Sequence, residues 1–272
     1  MALPVALQLY SVREELKADL PGTLKKVKEM GYVGVELAGM YGHTAEEFKA
    51  ELDKVGLVAV SAHVPLQQMR DDMDKVIADY KVIGCKFMVV PYLPAEDRDC
   101  DESFVKAVED IRVACQKATD AGFIMLYHNH DFEFKKIGDQ YRLDYLYENI
   151  PADLLQTQLD LCWVKVGGEN PAEYLRKYAN RAPLVHFKDF VGRKSENMYE
   201  LIGIKSEEKP SAEGKFELRP VGYGCQDWYS NIKAVEESIA EWVIVEQDKA
   251  TMDKDPIESA TLSRNYLKTL GY

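Results

Sequence analysis

Phe123-Ile124-Met125-Leu126-Tyr127-His128-Asn129-His130-Asp131-Phe132-Glu133-Phe134 joins an apolar run of strand length to two histidines and two acids. Just before it, Gly122 ends a stretch from Asp101 to Ala121 in which Phe104, Val105, Val108, Ile111 and Cys115 form one stripe at helical spacing. Glycine is the usual residue for the left-handed turn that stops a helix. The fold turns on whether this unit, a helix stopped by glycine and an apolar strand ending in ligand-type side chains, recurs along the chain.

It recurs in both directions. Val5 to Tyr10 is a first strand, and Asp19 to Met30 a helix with Asp19 as N-cap and Gly31 as stop. Val33 to Leu37 is the second strand, and Thr44-Ala45-Glu46-Glu47 has the capping-box spacing that opens a helix ending before Gly56. Leu57 to His63 is the third strand; Met69, Met73, Val76, Ile77 and Tyr80 then place a helix over about Gln67 to Ile83, closed by Gly84. Lys86 to Pro91 is the fourth strand and the opening stretch the fifth. A short helix over Asp144 to Asn149 leads to a sixth strand, Leu155 to Cys162, and Asn170-Pro171 caps a helix through Ala179. Pro183 to Asp189 is the seventh strand. Residues 190 to 225 then carry no apolar period, until Asp227 to Ala240 resumes as a helix, Trp242 to Glu246 forms an eighth strand and Asp255-Pro256 caps a last helix.

Eight strand–helix units whose strands are too uniformly apolar for a one-sided sheet predict a parallel sheet covered by helices, and at this length a closed (β/α)8 TIM barrel. A doubly wound sheet is the competing architecture, but it would be expected to carry a glycine-rich phosphate loop after the first strand, and the chain has neither G-x-G-x-x-G nor a Walker A sequence. The expectation is one domain over residues 1–272, with 190–225 as a long loop between strand seven and its helix.

Composition narrows the function classes. A chain of 272 residues, 46% hydrophobic, can bury a large core. Its net charge of −12 argues against a general phosphate-backbone binder. The first residues lack a basic segment followed by a long apolar one, and nowhere do about 18 apolar residues run together, so no membrane partner and a cytoplasmic location are expected. Five cysteines without C-x-x-C spacing suggest neither a disulfide framework nor a zinc ribbon.

In a barrel, catalytic groups gather at the C-terminal ends of the strands. Those ends hold Glu36, His63, the group His128 to Glu133, Asp160, His186 with Lys188, and Glu246 with Asp248. Taken singly, His186 reads equally well as a satisfied buried histidine and Glu36 as a partly solvated carboxylate. Together, carboxylates and an imidazole on strands five to eight surround one cavity, and such a set suits a single divalent ion of the Mn, Co, Mg or Zn type. Cys162 and Trp163 read as packing residues, with Trp163 also able to wall a sugar pocket.

Gln8-Leu9-Tyr10-Ser11, the Tyr127 to Phe134 stretch, Leu159-Asp160, Val185-His186-Phe187-Lys188-Asp189 and Val245-Glu246-Gln247-Asp248 together resemble the sugar phosphate isomerase/epimerase family. This is the xylose isomerase-like TIM-barrel group, which also includes ketohexose 3-epimerases, inosose dehydratases and endonuclease IV. The resemblance implies a divalent metal held by an acid on strand five with Asp160, His186 and Glu246. Epimerases of the group place a metal-binding Glu near the position of His128, so Glu133 is the expected fourth ligand here and His128 its substitute. They also carry a His where this chain has Trp163.

The implied chemistry is proton abstraction beside a metal-polarised carbonyl, followed by isomerisation, epimerisation or loss of a β-hydroxyl. Glu246 is the expected proton acceptor, with His130, His128 and Lys188 as further candidates; Glu36, His63, Trp163 and Lys188 are expected to contact substrate. The expected function is a metal-dependent sugar isomerase, epimerase or related dehydratase acting on a sugar, keto-sugar or inositol derivative. An endonuclease IV-like nuclease and a non-catalytic carbohydrate-binding barrel are the alternatives. A small sugar or polyol is the expected partner, with no nucleic acid, and barrels of this size commonly form homo-oligomers.

Overall fold

The computed structural model describes residues 2–194, 198 and 215–272. Eight parallel strands close into a barrel: β1 Val5–Gln8, β2 Gly34–Leu37, β3 Val58–His63, β4 Phe87–Val90, β5 Ile124–His128, β6 Leu155–Asp160, β7 Leu184–Phe187 and β8 Trp242–Val245, with β8 pairing back onto β1. The (β/α)8 expectation is met, and the helices cover the outside of the barrel.

The caps read from the sequence are formed. Thr44 and Glu47 make the reciprocal capping box of helix Ala45–Val55, Asp255 and Glu258 that of Pro256–Thr269, and the Asn170 side chain accepts from the Ala172 and Glu173 amides. Each holds amides that the helix itself leaves unpaired.

Two apolar layers position the site. One lies between strands and helices; the other is a small plug inside the barrel made of Ala6, Val60, Phe87, Val89, Leu126, Leu184 and Ile244. Because side chains alternate along a strand, the next inward positions above the plug are Gln8, His128, His186 and Glu246. Strand β3 reaches the same layer by a different route. Its pairing with β2 slips between Val35 and Glu36, so that Val35 faces Ala59 but Glu36 faces Ser61. The bulge at Val60 keeps that residue in the plug and turns Ser61 and His63 inward as well, a common use of bulges beside active sites. Gly34 lies at the bottom of the same layer, where an added Cβ would stand 2.7 Å from Val60 and 2.8 Å from Trp242.

The structure corrects several boundaries. Strand β6 stops at Asp160, not Cys162, because the Asp160 carboxylate accepts from the Cys162 and Trp163 amides and starts the helix Leu161–Val166. The stretch expected as one loop over 190–225 begins and ends in an antiparallel hairpin, Asp189–Val191 paired with Glu217–Arg219; the middle of that stretch lies outside the described residues. Helix Arg13–Ala18 and the small hairpin Lys136–Ile137 with Gln140–Tyr141 are further elements that the apolar pattern does not announce. Among the described residues, no helix is long and apolar enough to cross a membrane.

Candidate metal centre and its cavity

Glu36, at the end of β2, organises the base of the site. Its Oε1 accepts from Gln8 Nε2 at 2.7 Å and faces His186 Nε2 at 2.7 Å and His63 Nε2 at 3.0 Å. Its Oε2 accepts from Ser61 Oγ at 2.6 Å and Gln158 Nε2 at 2.5 Å. Burial alone would disfavour this carboxylate, but His63 and His186 override it and hold the group well below the usual carboxylate range. Against the same burial, Glu36 and Glu246 lift the His186 imidazole to about 10.

Around this base, His128, Asp160, His186 and Glu246 each offer a ligand atom, and all four atoms lie within 4.8 Å of one another; all four residues are buried. His186 turns Nδ1 toward Glu246 Oε2 at 3.0 Å and Nε2 toward Glu36. His128 Nδ1 contacts Gln158 Oε1 at 3.1 Å, which leaves Nε2 facing Asp160 Oδ2 at 3.7 Å. Asp160 spends Oδ1 on the two amides of its cap, while Oδ2 is buried without a hydrogen-bond partner. This buried oxygen has no hydrogen bond and meets only the Lys188 ammonium at 3.5 Å and His128 Nε2 at 3.7 Å, and a divalent cation among the two imidazoles and two carboxylates would satisfy it, so the residues fit such an ion. Outer partners such as Glu36 and Gln158 orient the imidazoles in the way that metal-binding histidines require.

The set is therefore two imidazoles and two carboxylates, one imidazole richer than expected. Glu133 stands apart from it. Its Oε1 accepts from Tyr127 Oη at 2.6 Å and its Oε2 from the His130 amide at 2.8 Å. Tyr127 points into the strand–helix layer, so Glu133 braces the turn after β5 from behind the strand. Burial pushes its carboxyl up to about 7.

Lys188 is fully buried, with Nζ 2.9 Å from Glu246 Oε2, 3.0 Å from Asp248 Oδ2 and 3.5 Å from Asp160 Oδ2. Burial opposes its charge, but Asp248, Glu246 and Asp160 outweigh that and raise it. Burial likewise raises the Asp248 carboxyl, to about 6, whereas Lys188 and His186 overcome burial at Glu246 and lower it.

Above the cluster opens a cavity of about 300 Å³, whose wall includes Tyr10, His63, Tyr92, His128, His130, Glu246 and Asp248. His128 and Glu246 thus belong to both cluster and cavity, and His63 and His130 line the cavity as well. Glu36, Lys188 and Trp163 stand behind that wall. Burial first, then neighbouring positive charge, keeps the His128 and His130 rings neutral. In the sequence, Ser61 and Gln158 are not singled out, and Gln8 and Tyr10 stand only within the Gln8-Leu9-Tyr10-Ser11 stretch, without a site role. The signal that finds Gln8 is its register opposite Glu36; Gln158 sits two residues before Asp160, on the same face of its strand.

A barrel of this form with a carboxylate–imidazole cluster at the C-terminal ends of its strands defines the xylose isomerase-like class. The chain matches the family described as xylose isomerase-like TIM barrel over residues 24–270 and belongs to it. It is 22% identical to an inosose dehydratase of Geobacillus kaustophilus, across 93% of this chain and 90% of that protein. In fold it is similar to a sugar phosphate isomerase/epimerase of Parabacteroides distasonis, with a TM-score of 0.76, 22% identity and coverage of 98% and 96% of the two chains. It is likewise similar to a structure described as IOLI protein with a binding zinc atom, with a TM-score of 0.71, 15% identity and 98% of each chain covered.

Proposed function

We propose that this protein is a metal-dependent enzyme that abstracts a proton beside the carbonyl of a keto-inositol or keto-sugar, with dehydration of inosose as the leading reaction. The observation that carries the reading is the buried set His128, Asp160, His186 and Glu246 opening onto a cavity that has His130 and His63 in its wall. The similarity to a protein named inosose dehydratase supports the choice of substrate and reaction. His128, Asp160, His186 and Glu246 would hold a divalent ion, which would supply Lewis-acid polarisation of the substrate carbonyl.

The side chains supply the rest. Glu246 reaches both cluster and cavity and is held ionised by Lys188 and His186, so it is the group that accepts the proton from the carbon next to the carbonyl. Glu246 then returns that proton to the departing β-hydroxyl, which leaves as water while a carbon–carbon double bond forms, and the neutral His130 in the cavity wall orients that hydroxyl by a hydrogen bond. Glu36 and Gln158 hold His186, His63 and His128 in place. Isomerisation or epimerisation begins with the same abstraction and returns the proton instead, so it is the second reading.

The test is to incubate the protein with inosose and MnCl2 in D2O and follow the proton spectrum. A dehydratase yields a conjugated enone. Deuterium exchange at the carbon beside the carbonyl, without loss of water, selects the isomerase or epimerase reading. Neither exchange nor product with inosose or with unphosphorylated ketohexoses overturns both.

A further inference from the structure

Five aromatic rings run in series from the hairpin after β7 to the cavity. Phe190 stacks on Phe216 with centroids 5.1 Å apart, Phe216 on Trp163 at 5.7 Å and 15°, Trp163 packs on His130 at 5.2 Å, and His130 lies on Phe132 at 5.1 Å and 5°. Both ends of the column are tied down. At the far end the Arg98 guanidinium lies 4.0 Å over the Phe132 ring and donates from Nε to the Leu93 carbonyl. At the near end the Asp189 carboxylate accepts from the amides of Phe190, Gly222, Gly224 and Gln226 and from Trp228 Nε1. Gly224 approaches so closely that an added Cβ would stand 2.1 Å from Asp189 Oδ1. In the middle, the Trp163 amide is bonded to Asp160 Oδ1 at 3.1 Å, which fixes the indole relative to the metal cluster.

Only one ring of this column, His130, lines the cavity among the described residues. Trp163, read from the sequence as a packing residue also able to wall a sugar pocket, is fully buried behind it. The His130 side chain has no anchoring hydrogen bond at Nδ1, so its orientation is set by the Trp163 and Phe132 rings it lies against, by the edges of Tyr92 at 5.8 Å and His128 at 5.2 Å, and by the Glu133 carboxylate that holds its backbone amide. Flat rings packed in contact leave an imidazole little freedom to tilt, and offset stacking favours one orientation.

We propose that the column is a positioning device: the hairpin after β7, acting through Phe216 and Trp163, fixes the His130 imidazole at the cavity wall, which makes Phe216 a positioning residue for the reaction. The catalytic consequence rests on the proton-transfer reading of this cavity; the placement of His130 does not. A plain packing role for Phe216 needs only apolar volume, whereas the column needs a flat ring.

Two variants separate these roles, Phe216→Leu and Phe216→Tyr, each as the full chain labelled with 13C-histidine. The chain has five histidines, and His130→Asn assigns the His130 signal by its disappearance. In Phe216→Leu the His130 ring resonance is expected to move toward its unstacked position while the His43 signal stays put. With inosose and MnCl2, kcat is expected to fall about tenfold with KM within about twofold, the size of loss that a small misplacement produces. Phe216→Tyr retains the wild-type resonance and kcat. The proposal is overturned if Phe216→Leu leaves the His130 resonance in place, or if Tyr and Leu act alike in a folded protein. Should either variant fail to fold by circular dichroism, Phe190→Leu and Phe190→Tyr put the same question one ring further out. If the resonance moves as expected but the wild type turns over neither inosose nor a ketohexose, the positioning role stands and the assigned reaction falls.

Discussion

Replacing Glu36 by Gln tests the site where it is most tightly determined. The Glu36 carboxylate faces five groups, Gln8, His186 and His63 on one oxygen and Ser61 and Gln158 on the other. An amide supplies one oxygen and one NH2. If the oxygen serves Gln8 and the histidines, the NH2 confronts Ser61 and Gln158. The Ser61 hydroxyl can turn to accept, but Gln158 cannot flip without losing the contacts of its Oε1 with His63 and His128. Nor can Gln8 flip, since its Oε1 accepts from the Tyr10 amide. One donor is thus left facing a donor, and the charge-assisted contact to His186 becomes a neutral one. Together these are expected to cost about 2–4 kcal/mol of folding stability. The loss relevant to function is in the orientation of His186, because removing the outer partner of a metal-binding histidine typically weakens binding about 10–100-fold, or about 1.4–2.8 kcal/mol. Titration calorimetry with MnCl2 on wild type and Glu36→Gln, with urea denaturation of each in parallel, measures both quantities. A variant that stays folded and binds Mn2+ within about twofold of wild type refutes the view that Glu36 orients the centre.

Two further outcomes follow from the placement of His128 and Glu133. His128→Ala is expected to lower Mn2+ affinity by more than the roughly 10–100-fold that loss of a supporting residue costs, while Glu133→Gln leaves it within about threefold; calorimetry giving the reverse order would move the fourth ligand back to Glu133. Burial raises the Glu133 carboxyl from its ordinary 4.5 to about 7, so its contribution to stability is fully present below pH 4.5 and disappears as pH rises through 7. A gap of that size is worth on the order of 3 kcal/mol. Urea denaturation at pH 5 and pH 8 should therefore show a smaller pH-dependent loss in Glu133→Gln than in wild type, since the carboxamide that replaces the carboxyl can accept from the His130 amide and donate to Tyr127 without titrating; equal losses in the two proteins count against the assignment.

The parts of the molecule legible in the sequence are those set by short-range chemistry. Thr44, Asn170 and Asp255 announce helix starts because a cap is settled within three residues. The ligand-type residues at the ends of β6, β7 and β8 are legible because a strand's inward face continues by steps of two as far as Asp160, His186 and Glu246. That rule lapses where the strand ends. Glu133 lies five residues beyond His128 in a 3-10 turn, Phe132–Phe134, that carries its carboxylate back to Tyr127 behind the strand. No count by twos could have shown this, whereas His128 is still on the ladder, opposite Gln158. The bulge at Val60 is silent for a related reason: in Val58-Ala59-Val60-Ser61-Ala62 either parity is acceptable to a buried strand, and only the paired β2, with Glu36 needing donors, decides that Ser61 and His63 turn inward. The hairpin of Asp189–Val191 with Glu217–Arg219 joins segments too far apart for any turn signal, and beside its strand ladder the buried Asp189 carboxylate collects the Gly222 and Gly224 amides just beyond the second strand. In each case the missing information is a partner distant in sequence. This is why Glu36 and most of the candidate cluster, Asp160, His186 and Glu246, are legible at strand ends in the chain, while what aims them, the contacts of Glu36 and Gln158 and the aromatic column behind His130, requires the folded barrel.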